Sequence, residues 1–138
     1  MATSSAVDAR PLVAYYVRAG YARSVIATCE DALKRRGNDV ALAFWKAVAA
    51  AREGNTAATI RELEMLRGKR DSDLPALTAL QYFHRRAKVP DADAVAAVDT
   101  ALGAAQSKAT QSAAALVLTG TFAWLILGDW LTAEDAVD

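Results

Sequence analysis

Apolar positions recur at three- and four-residue spacing along residues 38–69, in two separate runs. Val40, Phe44, Trp45, Val48 and Ala51 make the first run, and Ile60, Leu63 and Leu66 the second, with Gly54-Asn55 between them. This period predicts helices over residues 39–53 and 56–67. Asp39 is placed to cap the first helix and Asn55 or Thr56 the second, while Gly54 can take the left-handed conformation that ends a helix. So short a connection sets the two helices antiparallel. A single hairpin cannot bury its own apolar surface in water, so copies of it are expected elsewhere in the chain.

The same reading extends to both sides. Helices are predicted over residues 7–19 and 22–35, the second ended by Gly37. Asp71 or Ser72 caps a helix with Pro75 in its first turn, which runs through Leu77, Leu80 and Phe83 to about residue 87. Pro90 cannot continue that helix, and Asp91 caps the next, which carries Val95, Val98 and Leu102. Thr110 is the expected cap of an apolar helix ending near residue 127, and residues 130–138 begin an eighth. No run alternates as a strand would. The fold is read as all-α.

Gly20 precedes Gly54 by 34 residues, the period of the tetratricopeptide repeat. Aligned on these glycines, Cys29 meets Leu63 and Ala32 meets Leu66. A third copy of the turn is Gly128-Asp129-Trp130 with Ala133 behind it, and Trp124 stands where the repeat wants an aromatic. The 74 residues from Gly54 to Gly128 hold two repeats, which puts the missing turn near Lys88-Val89-Pro90. The chain thus reads as one segment of a tetratricopeptide-like α-solenoid, about four antiparallel helical hairpins in a right-handed superhelix. The hairpins fall at about residues 7–37, 38–69, 73–106 and 110–138, and the segment is expected to belong to a longer chain. Trp45, Ile60, Leu63, Leu80, Val95 and Trp124 are the expected buried positions.

Composition narrows the function classes. Sixteen basic residues balance sixteen acidic ones, which argues against a general nucleic-acid or anionic-membrane surface. Alanine supplies much of the 54% hydrophobic content, and small side chains let helices approach closely. The single Cys29 allows no internal disulfide and fits a reducing compartment. Residues 1–8 lack the basic start and apolar core of a signal peptide. Residues 113–127 are uncharged, but this run is shorter than the roughly 20 residues a bilayer span needs. A helix buried on two sides is the expectation there.

Candidate chemistry is sparse. His84 is the only histidine, with no nucleophile that the sequence places beside it, and reads as structural. Asp91 and Asp93 lack the further oxygen ligands of a cation loop, so capping is the reading. No Gly-rich phosphate loop is present, and neither enzyme chemistry, metal nor cofactor is expected. A binding surface is the better search. Arg18, Arg52 and Arg86 recur every 34 residues, two before each turn, where the first helix of a hairpin lines the concave face. Such a ladder can hold an acidic segment by paired guanidinium–carboxylate contacts, or its members can simply favour helix C-termini and stay solvated. Capture of a C-terminal carboxylate needs lysine and asparagine on these inner faces, which instead carry Ala14, Trp45, Pro75 and Ala79. Leu118, Phe122, Leu125 and Ile126 are expected to form an exposed apolar patch where the array is cut, and to mediate self-association of the fragment.

Several pieces, in order along nearly the whole chain, resemble the N-terminus of one family. They are Tyr15-Tyr16, Arg52-Glu53-Gly54-Asn55, Ile60-Arg61-Glu62-Leu63-Glu64, Lys69-Arg70-Asp71 and Pro90-Asp91, then Phe122-Ala123-Trp124-Leu125 with Gly128-Asp129. The family is the tetratricopeptide repeat protein 21 family, the tetratricopeptide subunit of intraflagellar transport complex A. The resemblance implies a far longer solenoid that scaffolds a ciliary transport train in retrograde movement and cilium assembly, without catalysis. It implies other complex A subunits and ciliary cargo as partners, and a place in the cytoplasm, the cilium or flagellum and the basal body. The alternative is a generic peptide-binding adaptor that uses the arginine ladder for an acidic partner.

Overall fold

The computed structural model describes residues 9–87, 89, 91–108 and 110–127. These residues carry seven helices: α1 (Arg10–Ala19), α2 (Ala22–Leu33), α3 (Val40–Arg52), α4 (Thr56–Met65), α5 (Asp73–Arg85), α6 (Ala92–Gln106) and α7 (Ala113–Leu127). Among the described residues there is no strand. The expected eighth helix over residues 130–138 and the turn at Gly128 lie outside the described residues.

Local chemistry accounts for most of the boundaries. The Asp39 carboxylate accepts from the backbone N–H groups of Ala41 and Leu42 at 3.1 and 3.2 Å, and so starts α3. Asn55 caps α4 by accepting from the Ala58 N–H at 3.1 Å, and Asp91 caps α6 in the same way through Asp93 and Ala94. Gly20 and Gly54 turn α1 into α2 and α3 into α4 at φ 81° and 92°, in the left-handed region that a side chain disfavours. Gly68 adopts φ 81° as well, after α4.

Three of the expected boundaries are corrected. Helix α2 stops at Leu33, before Gly37, which is not left-handed, because the chain turns on ordinary right-handed geometry at Lys34. Ser72 precedes α5 but does not cap it, since its buried hydroxyl donates to the Leu66 carbonyl at 2.8 Å. The cap of α7 is Ser112 rather than Thr110, its Oγ accepting from the Ala115 N–H at 3.1 Å.

Each helix from α1 to α5 packs on the next, and α1 also packs on α3 and α5 on α7, as in a tetratricopeptide-like α-solenoid. The core runs through the stack without a break. Val25 and Cys29 of α2, Phe44 and Val48 of α3, Leu63 of α4 and Leu77 and Leu80 of α5 are all buried. Thr59 is buried with them because its hydroxyl donates to the Ala47 carbonyl across the α3–α4 interface at 2.6 Å. Polar ties hold the outer faces. Lys46 on α3 sits 4.0 Å from Glu30 on α2 and 3.7 Å from Glu62 on α4, and Asp99 on α6 receives Gln81 and Arg85 of α5 at 2.9 and 2.7 Å.

Of the expected core positions, Trp45, Leu63 and Leu80 are buried, while Ile60 and Val95 are half-buried. Trp124 is a correction. It is 61% exposed, because α7 turns Ala115, Leu118, Phe122 and Leu125 inwards and Trp124 lies on the opposite side of that stripe.

Candidate functional site

Helix α7 is apolar all round and carries no charged side chain. Its buried stripe meets α5 and α3. The Phe122 ring stands 6.0 Å from Tyr82, 6.2 Å from Phe83 and 5.9 Å from Phe44, centroid to centroid. Anchored there, α7 leaves a second stripe unpacked. Val117 is 66% exposed and Trp124 61%.

That second stripe forms one wall of a cavity of about 880 Å³. Val13, Ala14 and Val17 of α1 form the facing wall, and Leu42 and Trp45 of α3 lie between them. Trp45 is only 8% exposed, so the floor is a packed surface, whereas the α7 wall is open. Charged side chains also line it: Arg10 and Arg18 from α1, and Asp39 and Asp71 from just before α3 and α5. The Asp39 carboxylate is already engaged in capping α3. Arg18 is exposed, and no described carboxylate pairs with it.

The three arginines of the expected ladder fall in different settings. Arg18 lines the cavity. Arg52 is half-buried in the last turn of α3, and Arg86, just past α5, holds its guanidinium carbon 4.4 Å from the centroid of the Tyr82 ring. Of the three, the cavity takes Arg18.

The expected exposed patch on α7 is corrected. Leu118, Phe122 and Leu125 are buried against the chain's own aromatic cluster, which removes the surface proposed for self-association, and the side chain of Ile126 lies outside the described residues. The exposed apolar residues are instead Leu116, Val117 and Trp124. The heptad-like spacing of Ala115, Leu118, Phe122 and Leu125 was visible in the sequence, but on a helix with no polar face it had rivals on every side.

Among the described residues, no group of three His, Cys, Asp or Glu side chains converges to hold a metal ion, and no helix is long and apolar enough to cross a membrane. Burial pushes the Cys29 thiol up to about 12, which leaves it protonated and unreactive at neutral pH. Nε2 of His84 is buried with no hydrogen-bond partner among the described residues.

Comparison with known proteins agrees with this picture. The profile of one family, described as "Tetratricopeptide repeat protein 21 N-terminal ARM repeat", matches residues 13–138. The chain is similar to human tetratricopeptide repeat protein 21B at 30% identity over 119 residues, covering 86% of this chain and 9% of that protein. It is similar to human tetratricopeptide repeat protein 21A at 31% over 114 residues, covering 83% of this chain and 8% of that protein. The mouse 21B protein is 29% identical over 117 residues, covering 85% of this chain and 9% of its own length. The chain therefore spans less than a tenth of the length of these curated relatives.

Proposed function

Since the chain belongs to the tetratricopeptide repeat protein 21 family, a family of repeat-built scaffolds, we propose that it serves as a non-catalytic interaction segment of intraflagellar transport complex A. In this reading it contacts other complex A subunits or ciliary cargo during retrograde transport and cilium assembly, in the cytoplasm, the basal body and the cilium. The ciliary part of the reading is supported by the ordered resemblance from Tyr15-Tyr16 to Phe122-Ala123-Trp124-Leu125. The single observation that carries the interaction part is the open apolar wall of α7 facing α1 across the cavity. A repeat segment that leaves a tryptophan so exposed beside a groove has the features of a contact surface.

The test is made in the full-length family member of a ciliated cell. Residues 9–127 are deleted, and complex A is purified from the cells. Loss of one or more subunits, with transport material accumulating at ciliary tips, is the expected outcome. Unchanged subunit stoichiometry together with normal retrograde transport would sink the reading.

A second reading, a peptide-binding adaptor for an acidic partner, is favoured by Arg18, which lines the same groove with no ion-pair partner among the described residues. It does not need Arg52 or Arg86.

A further inference from the structure

A second hollow, of about 320 Å³, lies where the turn after α4 meets the turn before α7, and it shares no lining residue with the groove. Lys69 and Arg70 reach it from the first turn and Lys108 from the second. All three are exposed, and none has an ion-pair partner among the described residues. Asp73 is the one carboxylate on the lining, and its Oδ1 is engaged in accepting from the Gly68 N–H at 2.7 Å. Asp71 lines the groove instead. Cations thus outnumber carboxylates three to one here, in a chain whose total charge is zero.

Both turns are braced by their own hydrogen bonds. The Lys69 carbonyl accepts from the Asp73 N–H at 2.8 Å, and Gln111 Nε2 donates to the Ala105 carbonyl at 2.8 Å. The backbone therefore gathers three like charges against their mutual repulsion, which a bound anion relieves. Hydroxyls add to the donors. Ser112 Oγ accepts from the Ala115 N–H, which leaves its O–H to donate, and the exposed Thr110 hydroxyl lines the hollow too. The lining has no aromatic ring and no apolar side chain, so it offers nothing to a stacked base or a greasy chain. A carboxylate would answer these cations with one charge and two oxygens. A phosphate monoester brings close to two charges and three oxygens, which the arginine fork and the lysine ammoniums suit.

We propose that this hollow binds the phosphate group of a phosphate monoester. Lys69, Arg70 and Lys108 hold its oxygens, and the Thr110 and Ser112 hydroxyls donate beside them. The site is independent of the open face of α7 and of the ciliary reading. At the small end of ligand pockets, it has room for the phosphate and a few atoms behind it. The same chemistry arrives on a small soluble ester or on a phosphorylated lipid headgroup, and the experiment has an arm for each.

The soluble probe is glycerol 3-phosphate, added to this chain at about pH 7.5 and constant ionic strength while backbone amide resonances are followed. A monoester, with its second pKa at about 6, is then largely dianionic. Saturable shifts confined to residues 68–73 and 107–112 are expected, with a Kd of about 1 mM or tighter. Arg70→Glu and Lys108→Glu should each weaken binding about tenfold or more. Lys34→Glu, the same change of charge at an exposed lysine after α2, should leave it unaltered. In the second arm the chain is sedimented with phosphatidylcholine vesicles, with and without a phosphatidylinositol phosphate. Pelleting with the phosphorylated lipid alone, lost in Arg70→Glu, assigns the site to a headgroup. Soluble binding without pelleting assigns it to a free ester. The replaced side chains are exposed, so circular dichroism should match the parent, and Arg70→Gln and Lys108→Gln take over if a Glu variant loses its helical signal. Shifts that spread over the surface without saturating, equal weakening by Lys34→Glu, or binding in neither arm would overturn the proposal.

Discussion

The rings of Phe44 and Phe122 meet edge to face, 5.9 Å between centroids and 80° between planes, and both are buried. One belongs to α3 and the other to α7, helices that are not neighbours in the chain. This contact draws α7 against the middle of the stack and fixes the position of the open wall opposite α1. Phe122→Ala should therefore lower stability by about 3–5 kcal/mol. Trp124→Ala, two residues on, should change it by no more than about 0.5 kcal/mol. Chemical denaturation of the two variants measures the contrast, and equal losses would contradict the burial assigned to each.

Gly54 and Gly103 should respond to alanine with opposite signs. An added Cβ meets nothing within 4 Å at either site, so space does not decide. Gly54 holds φ 92°, where a side chain costs about 1–2 kcal/mol. Gly103 lies inside α6, where alanine is the better helix former by about 0.8–1.0 kcal/mol. Melting temperatures should fall for Gly54→Ala and rise for Gly103→Ala.

Thr59→Val removes the buried hydroxyl that ties α4 to the Ala47 carbonyl of α3 while keeping the side chain's shape. The expected loss is about 0.5–1.5 kcal/mol. Thr59→Ser keeps the hydroxyl and sheds a methyl group, so it should also cost stability, but through packing. Hydrogen exchange separates the two: the Val variant should specifically speed exchange where α4 meets α3.

Cys29 gives a pH dependence of known sign. Its thiol pKa rises from the ordinary 9.0 to about 12, first because of burial and then because of the Asp39 charge. The native state then holds its proton where the unfolded chain has released it, so this group's contribution is intact below pH 9.0 and declines as pH climbs from there towards about 12. Relative to the parent, Cys29→Ala should show a shallower fall in stability over that window. Alkylating reagents at pH 8 should label the parent only after denaturant is added.

Much of the fold was legible in the sequence because it is written in local chemistry. The spacing of Phe44, Val48, Ile60 and Leu63, the caps Asp39, Asn55 and Asp91, and the glycines at 20 and 54 act over a few residues each, so they identify the helices and the turns between them. The residues that resemble the family were likewise readable in order, and the family match agrees. Boundaries set by distant partners were not. Ser72 looks like a cap, but its hydroxyl is claimed by the Leu66 carbonyl, a competition that emerges only when the turn closes.

The groove was the part that tertiary structure alone decided. A helix that is apolar on every face, such as α7, has no sequence periodicity strong enough to say which side faces in. Leu118, Phe122 and Leu125 were expected to be open and Trp124 buried, and the arrangement is reversed because the pocket offered by Phe44, Tyr82 and Phe83 fits the Phe122 ring. Likewise the 34-residue spacing of Arg18, Arg52 and Arg86 is a property of the chain, but whether three arginines share a site depends on how the hairpins stack. The stack brings Arg18 to the wall of the groove and places the Arg86 guanidinium over the ring of Tyr82, because side-chain neighbours are chosen by packing and not by sequence period.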